Sequence, residues 1–392
     1  MKLSSLTISL LLVIVSKSTS LNPEIFHSKK MLQRKSFLQG TAMLGALIMN
    51  PTSAFSVGDP RPLTQAAHAA ISPTTKSTVA YRSLSLSMGD QFSNTNVPVA
   101  CWYPCDGEDD TTPTSTNPTF YPHRISVRRI GQMLAGWNFI PNFVSRDFAL
   151  QPTMVINSNT NVPLPAKAPI VLLAHGYLGS RFDLSHLAEA LAAEGFVCLA
   201  PEYPESLAAS YERLPGLDRT IITQQLLGML EQTTRATSYG VIGHSLGCGT
   251  ALRIGDDTWT RVLVSGYNGA RVPGNVLILS SMNDGVLSMS KRGLAIPSDI
   301  TLLNEQSIDT SLPSRAALIF DGADAPNHIS FLAEGVNDAM VDFLSPLLPV
   351  AQAMSIPVLD FDRYQVSRDS IATANVVRPL VTQYLKQHMK RT

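Results

Sequence analysis

The stretch Tyr239-Gly-Val-Ile-Gly-His-Ser-Leu-Gly-Cys-Gly-Thr-Ala251 decides the fold of this chain. Its centre, Gly243-His-Ser-Leu-Gly247, has the G-x-S-x-G spacing of a nucleophile elbow, a sharp turn from a strand into a helix that exposes a serine. Glycines two residues before and after the serine remove side chains that would collide at such a turn. We therefore predict that Ser245 is a nucleophile and that the N–H of Leu246 faces a developing oxyanion. A plain glycine turn has the same spacing, so the rest of the chain must support this prediction.

Outside this stretch the chain alternates apolar strands with helices. Residues 169–174 form a continuous apolar run, which is typical of a parallel strand that is buried on both faces. Repeated alternation of this kind predicts an α/β fold with a mostly parallel sheet and helices on both faces. Ligands of such folds bind at the carboxyl ends of the strands, where the predicted elbow lies. The predicted strands are 168–174, 196–200, 239–242, 261–264, 275–280 and 315–320, and the predicted helices are 184–194, 220–233, 248–254 and 371–390.

The loop His175-Gly-Tyr-Leu-Gly-Ser180 comes directly after the strand at 168–174. A His-Gly loop in this position can turn a backbone amide towards the oxyanion that forms on a substrate. The sequence predicts the N–H of Tyr177 for this role, alongside the first amide of the helix after the elbow. The alternative is an ordinary glycine turn. His175 and His244 adjoin these motifs, and we expect them to shape the loops rather than to titrate.

The acid and the histidine that would activate Ser245 are expected later in the chain, in the order serine, acid, histidine. Only two of the eight histidines follow Ser245, and one of them, His388, falls in the terminal helix, where we expect it to be exposed. His328 is therefore the predicted general base, which takes the proton of Ser245 and returns it to the leaving group. Asp284, just past the strand at 275–280, is the predicted acid that holds His328 in the correct tautomer. Two other acids share the loop of His328 and remain alternatives, namely Asp321 and Asp324.

The composition excludes several classes of protein. With 44% hydrophobic and 15% charged residues, the 392-residue chain is globular and long enough for a large core. Its formal net charge is +0, and no basic tract indicates a nucleic-acid partner. No His/Cys pairing has the spacing of metal ligands, so neither a metal nor a cofactor is predicted. Cys101 and Cys105 could form a disulfide in an oxidising compartment, although the strand geometry expected between them argues against it.

The N-terminal end has the pattern of targeting sequences rather than of a folded domain. Residues 1–20 resemble a secretory signal, and a second signal of the twin-arginine type, with lysine in one arginine position, follows at about 34–54. Two such signals in series resemble the presequence of a thylakoid-lumen protein in an alga with a complex plastid. A single signal anchor, or secretion from the cell, is the alternative. Residues 55–76 are a predicted linker, and 77–392 form one predicted domain with an insertion at about 106–167.

Part of that insertion, residues 125–148, is broadly apolar beside Arg128 and Arg129. One interpretation is a helical excursion that packs on the domain, since amphipathic core helices are common. The other is a lid or interfacial element that contacts a membrane surface or a lipid particle. Both interpretations stay open, and a further insertion at 344–368 would also shape the pocket.

These motifs resemble those of α/β-hydrolases, and most of all those of the platelet-activating-factor acetylhydrolase (plasma, isoform II) family, from about Val97 to His388. Dienelactone-hydrolase-like proteins are a more distant resemblance. The resemblance implies the α/β-hydrolase fold and a serine carboxylic-ester hydrolase. Such an enzyme would act through an acyl-serine on a lipid-like ester, such as a short-acyl phospholipid, in lipid catabolism. The stretches that carry the resemblance are 99–104, 161–176, 193–197 with Glu202, and 243–250.

The chain departs from that family in two places. The family has its acid after the strand that follows the elbow, where this chain has Ser265-Gly-Tyr-Asn268, and it has glycine where Cys248 stands. Asp284 comes one strand later. Chlorophyllase-like hydrolases share the His-Gly loop and a Gly-His-Ser elbow but carry arginine in the position of Leu246, and they imply chlorophyll as an alternative substrate. A third alternative is a non-catalytic binding module, which normally lacks the serine or the histidine.

Overall fold

The computed structural model describes residues 79–105, 120–136, 138, 140–141, 145–154, 156–157, 162–287, 293–305, 311–344 and 367–389. The two predicted targeting signals and the predicted linker lie outside these residues, as does much of the two predicted insertions. In the part of the chain that is described, no helix is both long and apolar enough to cross a membrane.

A ten-stranded sheet forms the centre of the fold, and a separate antiparallel pair lies in the insertion. The central sheet contains β1 (Val79–Ser87), β2 (Asn96–Pro104), β5 (Ile156–Asn157), β6 (Lys167–Ala174), β7 (Val197–Pro201), β8 (Arg235–His244), β9 (Thr260–Val264), β10 (Val276–Ser281), β11 (Thr301–Leu303) and β12 (Arg315–Phe320), while β3 (Tyr121–Ser126) and β4 (Ser145–Leu150) form the separate pair. The order across the central sheet is β11-β12-β10-β9-β8-β6-β7-β2-β1-β5. Strand β2 runs antiparallel to both neighbours, and every other adjacent pair is parallel.

The helices pack on this sheet in two groups. They are α1 (Val127–Ala135), α2 (Ser185–Ala193), α3 (Arg219–Glu231), α4 (Leu246–Arg253), α5 (Glu334–Leu344) and α6 (Ser370–His388). Helix α6 packs against α2 and α5, and α3 packs against α4. Every residue of β7, β9 and β10 is buried, so both faces of these central strands are covered. This arrangement confirms the predicted α/β architecture with a mostly parallel sheet.

The insertion differs from the predicted helical excursion. Among the described residues of the segment 125–148, helix is found at 127–135, and the strands β3 and β4 flank it and pair with each other. Strand β3 alternates buried and exposed side chains at its start, with Tyr121, His123 and Ile125 buried. Such alternation is typical of a strand, but here it is short and mostly precedes the apolar segment. The short strands β5 and β11 were also not predicted, because two or three residues carry too little periodicity.

Candidate active site

Ser245 lies on a sharp turn between β8 and α4. Its backbone has φ 55° and ψ −119°, a strained conformation for a residue with a side chain. A Cβ atom added to Gly243 would lie 2.3 Å from the carbonyl oxygen of Gly247. A Cβ atom added to Gly247 would lie 1.9 Å from the carbonyl oxygen of Ala174, in the neighbouring strand β6. Both glycines of the G-x-S-x-G pattern are therefore required by close backbone packing around the serine.

The three residues predicted for acyl transfer meet at the carboxyl ends of the parallel strands. Asp284 follows β10 and His328 follows β12. The Nε2 atom of His328 lies 3.0 Å from Oγ of Ser245, and its Nδ1 atom lies 3.0 Å from Oδ2 of Asp284. With Nδ1–H donating to the carboxylate, Nε2 is left to accept the proton of the serine hydroxyl. The geometry is that of a nucleophile, a base and an orienting acid.

Asp284 is fully buried and well supplied with hydrogen bonds. Its Oδ1 accepts from the backbone N–H groups of Val286 at 2.8 Å and Leu287 at 2.6 Å, and its Oδ2 accepts from the hydroxyl of Ser265. Burial alone would raise the pKa of Asp284, but the hydrogen bonds and the neighbouring His328 together lower that pKa to about 2. Asp284 is thus an ionised carboxylate at neutral pH.

The other acids considered from the sequence lie elsewhere. Asp321 and Asp324 are exposed, and an oxygen of Asp324 lies 3.5 Å from the guanidinium of Arg368. Neither hydrogen-bonds to His328. The second histidine after the elbow, His388, is partly buried rather than exposed, with Nε2 3.0 Å from the carbonyl oxygen of Leu312. The expectation that His388 is exposed was therefore wrong, because the end of α6 packs on the chain near Leu312.

The loop after β6 passes directly beside the serine. A Cβ atom added to Gly176 would lie 3.0 Å from Cβ of Ser245, so no other side chain fits easily at this position. Within the described residues, the backbone N–H groups of Tyr177 and Leu246 donate to no other group. Leu246 follows Ser245 and Tyr177 follows Gly176, so both N–H groups belong to segments that pass the serine and are available as the predicted oxyanion donors.

Two buried histidines beside the serine are structural rather than titrating. His175 accepts a hydrogen bond at Nε2 from the N–H of Tyr203 at 2.9 Å, so its proton lies on Nδ1, which donates to the carbonyl oxygen of Gly176 at 2.8 Å. Burial holds the pKa of His175 well below its usual value. Burial likewise lowers the pKa of His244 to about 3, so both imidazoles are neutral.

Four exposed apolar side chains adjoin the site residues along the chain. Tyr177, Leu246, Met282 and Val286 are each 40% to 43% exposed, and each lies within two residues of a predicted site residue or is one itself. Exposed apolar side chains are common on protein surfaces, and here they accompany residues of the site. The hydroxyl of Tyr177 donates to the carbonyl oxygen of Met133 at 2.8 Å, which joins helix α1 of the insertion to the loop after β6.

The fold and the site together define a class of protein. A serine on the turn after β8, an acid after β10 and a histidine after β12, on a mostly parallel sheet with one reversed strand, are the arrangement of an α/β-hydrolase. The sequence profile of the family "Platelet-activating factor acetylhydrolase, isoform II" matches residues 83–214, about a third of the chain. The match confirms the resemblance that the motifs indicated, and it supports a hydrolase function.

That matched segment contains the loop of Tyr177 but ends before α3. It therefore includes none of Ser245, Asp284 and His328. A search of curated proteins finds no match.

Several solved structures are similar to this chain at low identity. A ferulic acid esterase from Streptomyces cinnamoneus is 17% identical, with a TM-score of 0.44 over 81% of this chain and 92% of that protein. A dienelactone hydrolase from Anabaena variabilis is 14% identical, with a TM-score of 0.34 over 72% and 100%. An esterase from Pyrococcus furiosus is 12% identical, with a TM-score of 0.33 over 70% and 92%. Similarities this weak carry no argument about the substrate of this chain.

Proposed function

We propose that this chain is a serine ester hydrolase in which Ser245, His328 and Asp284 act as nucleophile, general base and orienting acid. The observation that carries the proposal is the continuous hydrogen-bonded path from Oγ of Ser245 through the imidazole to a buried carboxylate, with 3.0 Å at each step. A non-catalytic binding module has no need for such a path. The match to the acetylhydrolase family profile supports the same reaction class.

The reaction has two halves. His328 accepts the proton of Ser245 at Nε2 while Oγ attacks the ester carbonyl carbon, and the negative charge on the tetrahedral oxygen is met by the N–H groups of Tyr177 and Leu246. The imidazolium returns its proton to the departing alcohol, which leaves an acyl group on Ser245. Water then attacks the acyl carbon while His328 takes its proton, and the imidazolium passes that proton to Oγ of Ser245 as the carboxylic acid departs. Asp284 holds the imidazole in the required tautomer and stabilises its cation throughout.

We further propose that the substrate is a lipid-like ester with a short acyl chain, such as a phospholipid with an acetyl or shortened second chain. The exposed apolar side chains of Tyr177, Leu246, Met282 and Val286, which adjoin the site residues along the chain, support a hydrophobic substrate. The family profile supports the phospholipid class. We propose that helix α1, joined to Tyr177 through Met133, contacts a lipid surface.

The direct test measures hydrolysis by the purified protein and by the variant Ser245→Ala, with Ser210→Ala as a control because Ser210 is exposed. Substrates are p-nitrophenyl acetate, a phosphatidylcholine with an acetyl second chain, the same lipid with a long second chain, and chlorophyll. We expect cleavage of the first two that disappears only in Ser245→Ala. Release of phytol instead would move the substrate to chlorophyll, and equal activity in Ser245→Ala would refute the proposed nucleophile.

The route to the site of action also remains a proposal, based on the signals at 1–20 and 34–54. We propose import into the secretory pathway and then into a plastid, with the thylakoid lumen as the destination and secretion as the alternative. N-terminal sequencing of the protein recovered from its source cells would test the two cleavages. A mature end near residue 55 is expected, and an end near residue 21 would favour secretion.

A further inference from the structure

Arg219, the first residue of α3, binds the backbone of the loop that carries Tyr177. Its Nη1 atom donates to the carbonyl oxygen of His175 at 2.7 Å, and its Nη2 atom donates to that of Gly176 at 3.2 Å. The side chain is 11% exposed, so these charge-assisted bonds are shielded from water. A planar guanidinium can hold two successive carbonyl groups, whereas a lysine ammonium presents a single point of charge.

Two further groups hold the guanidinium itself in place. Its Nε atom donates to a carboxylate oxygen of Glu205 at 3.1 Å, and its central carbon lies 4.4 Å from the ring centroid of Tyr203. The backbone oxygen of Glu205 also accepts from the N–H of Leu178, at 3.2 Å, on the far side of Tyr177. Leu178 has a left-handed φ of 60°, which costs energy for a residue with a side chain. The loop is therefore held in a strained shape from outside.

The geometry of the peptide bond links this arrangement to the oxyanion. The carbonyl of Gly176 and the N–H of Tyr177 belong to one planar trans peptide, so they point in opposite directions. Donors that hold the Gly176 oxygen therefore determine where the Tyr177 N–H points. Three donors converge on that oxygen: Nη2 of Arg219, Nδ1 of His175 at 2.8 Å, and the N–H of Gly179 at 3.3 Å. Among these donors only Arg219 comes from outside the loop.

We propose that Arg219 is a positioning residue that directs the N–H of Tyr177 towards the oxyanion. Glu205 holds the guanidinium of Arg219 in place for this role. This inference rests on the proposed ester hydrolysis. Arg219 touches no reacting atom and acts only through the peptide between Gly176 and Tyr177. The alternative is that the pair of Arg219 and Glu205 only stabilises the fold. In that case its loss would lower stability without changing the stabilisation of the transition state.

The experiment uses the full chain with p-nitrophenyl acetate and compares wild type, Ser245→Ala, Arg219→Met and Arg219→Lys. Arg271→Met is the matched control, because Arg271 is exposed. Loss of one oxyanion donor lowers kcat by about 100- to 1000-fold, and a misdirected donor should cost less. We expect kcat to fall by about 10- to 100-fold in both Arg219 variants, with KM changed by less than about threefold. The inhibition constant of phenylboronic acid, whose serine adduct is tetrahedral, should rise in proportion to the loss of kcat/KM.

Two further experiments distinguish a positioning role of Arg219 from a role in folding alone. In Arg219→Ala, free guanidinium at millimolar concentration should recover part of kcat, whereas a merely unstable variant would not respond. If the Arg219 variants do not fold, Glu205→Gln keeps the arginine and the backbone bond to Leu178 and should lower kcat by about 3- to 10-fold. A lower melting temperature together with an unchanged kcat and an unchanged inhibition constant of phenylboronic acid would overturn the proposal. If the wild type shows no turnover that depends on Ser245, the proposed function is refuted as well. If such turnover is present and stays unchanged in Arg219→Met, only this inference is refuted.

Discussion

The hydroxyl of Ser265 donates a hydrogen bond to Oδ2 of Asp284, the same oxygen that faces the imidazole of His328. Its Oγ atom also lies 3.3 Å from Nδ1 of His328. Ser265 follows β9, where the acetylhydrolase family has its acid, whereas Asp284 follows β10. The ends of two neighbouring strands therefore reach one imidazole, and a carboxylate from either strand end could orient it.

The first prediction concerns the acid. Asp284→Asn should lower kcat by about 10,000-fold, because an amide at this position favours the wrong tautomer of His328. The fold should be kept, since Asn retains an oxygen for the two backbone N–H donors. Hydrolysis of p-nitrophenyl acetate measures the effect, and circular dichroism checks the fold. Asp321→Asn is the control, because Asp321 is exposed. A near-normal rate in Asp284→Asn would return the role to Asp321 or Asp324.

The second prediction moves the acid to the neighbouring strand end. In the background Asp284→Asn, the change Ser265→Asp should recover activity by at least about tenfold, because a carboxylate there would face Nδ1 of His328. Aspartate also tolerates the left-handed φ of 52° that Ser265 adopts. The rate of acetate release from p-nitrophenyl acetate measures the recovery. Ser265→Ala in the same background is the control, and equal rates in the two double variants would contradict the prediction.

The third prediction compares two glycines of α4. Gly247→Ala should prevent correct folding, because the new Cβ would meet the carbonyl oxygen of Ala174 at 1.9 Å. Gly249→Ala meets no atom within 4 Å, and alanine is favoured over glycine in a helix by about 0.8 to 1.0 kcal/mol. Urea unfolding should therefore show a stabilised or unchanged Gly249→Ala and a severely destabilised Gly247→Ala. Comparable midpoints for the two variants would show that the elbow packs differently.

The fourth prediction concerns Arg261 of β9, a fully buried cation whose guanidinium lies at the C-terminal end of α4. Its guanidinium donates to five backbone carbonyl oxygens, of Ala251, Ile254, Asp256, Trp259 and Pro273, at 2.9 to 3.3 Å. Arg261→Met would leave buried acceptors without donors, at about 1 to 3 kcal/mol for each one that water does not reach. The free energy of unfolding should fall by at least about 3 kcal/mol. Arg253→Met, which changes an exposed arginine of α4, should lower the free energy of unfolding by less than about 0.5 kcal/mol.

The fifth prediction is a dependence of stability on pH. Burial raises the pKa of Asp183 to about 7, although the N–H and hydroxyl of Ser180 hydrogen-bond to it. The folded protein then holds a proton that the unfolded chain loses near pH 4. The stability that depends on this proton is complete below about pH 4 and is lost as the pH rises through about 7. The difference is about 3 to 5 kcal/mol for a single buried group.

The variant Asp183→Asn tests this dependence, because asparagine keeps the acceptor for Ser180 and does not titrate. The free energy of unfolding of the wild type relative to Asp183→Asn should decrease from about pH 4 to about pH 7 and level off above that. Urea unfolding at several pH values measures it. A difference that is constant over this range would mean that Asp183 is ionised in the folded protein throughout.

The sequence predicted the central sheet better than it predicted the insertion. Long apolar strands and helices were predictable because their periodicity is local, and the predicted mostly parallel central sheet is confirmed. The insertion was harder, because strands β3 and β4 depend on pairing between residues about 25 positions apart along the chain. Pairing of this kind leaves no local signal beyond alternation, which is short in β3 and absent from β4.

The sequence by itself determined the elbow, the α/β architecture and the candidates Ser245 and His328, because chain order and backbone sterics act locally. Tertiary structure decided which acid meets the histidine, because Asp284 and His328 approach each other only when neighbouring strands end at one edge of the sheet. It also decided the contacts that Ser265 and Arg219 make with residues of the site. No motif surrounds either residue, and each acquires its partners from loops 14 or more positions away. Contacts between strand ends depend on pairing and loop shape across the whole domain, so no local pattern encodes them.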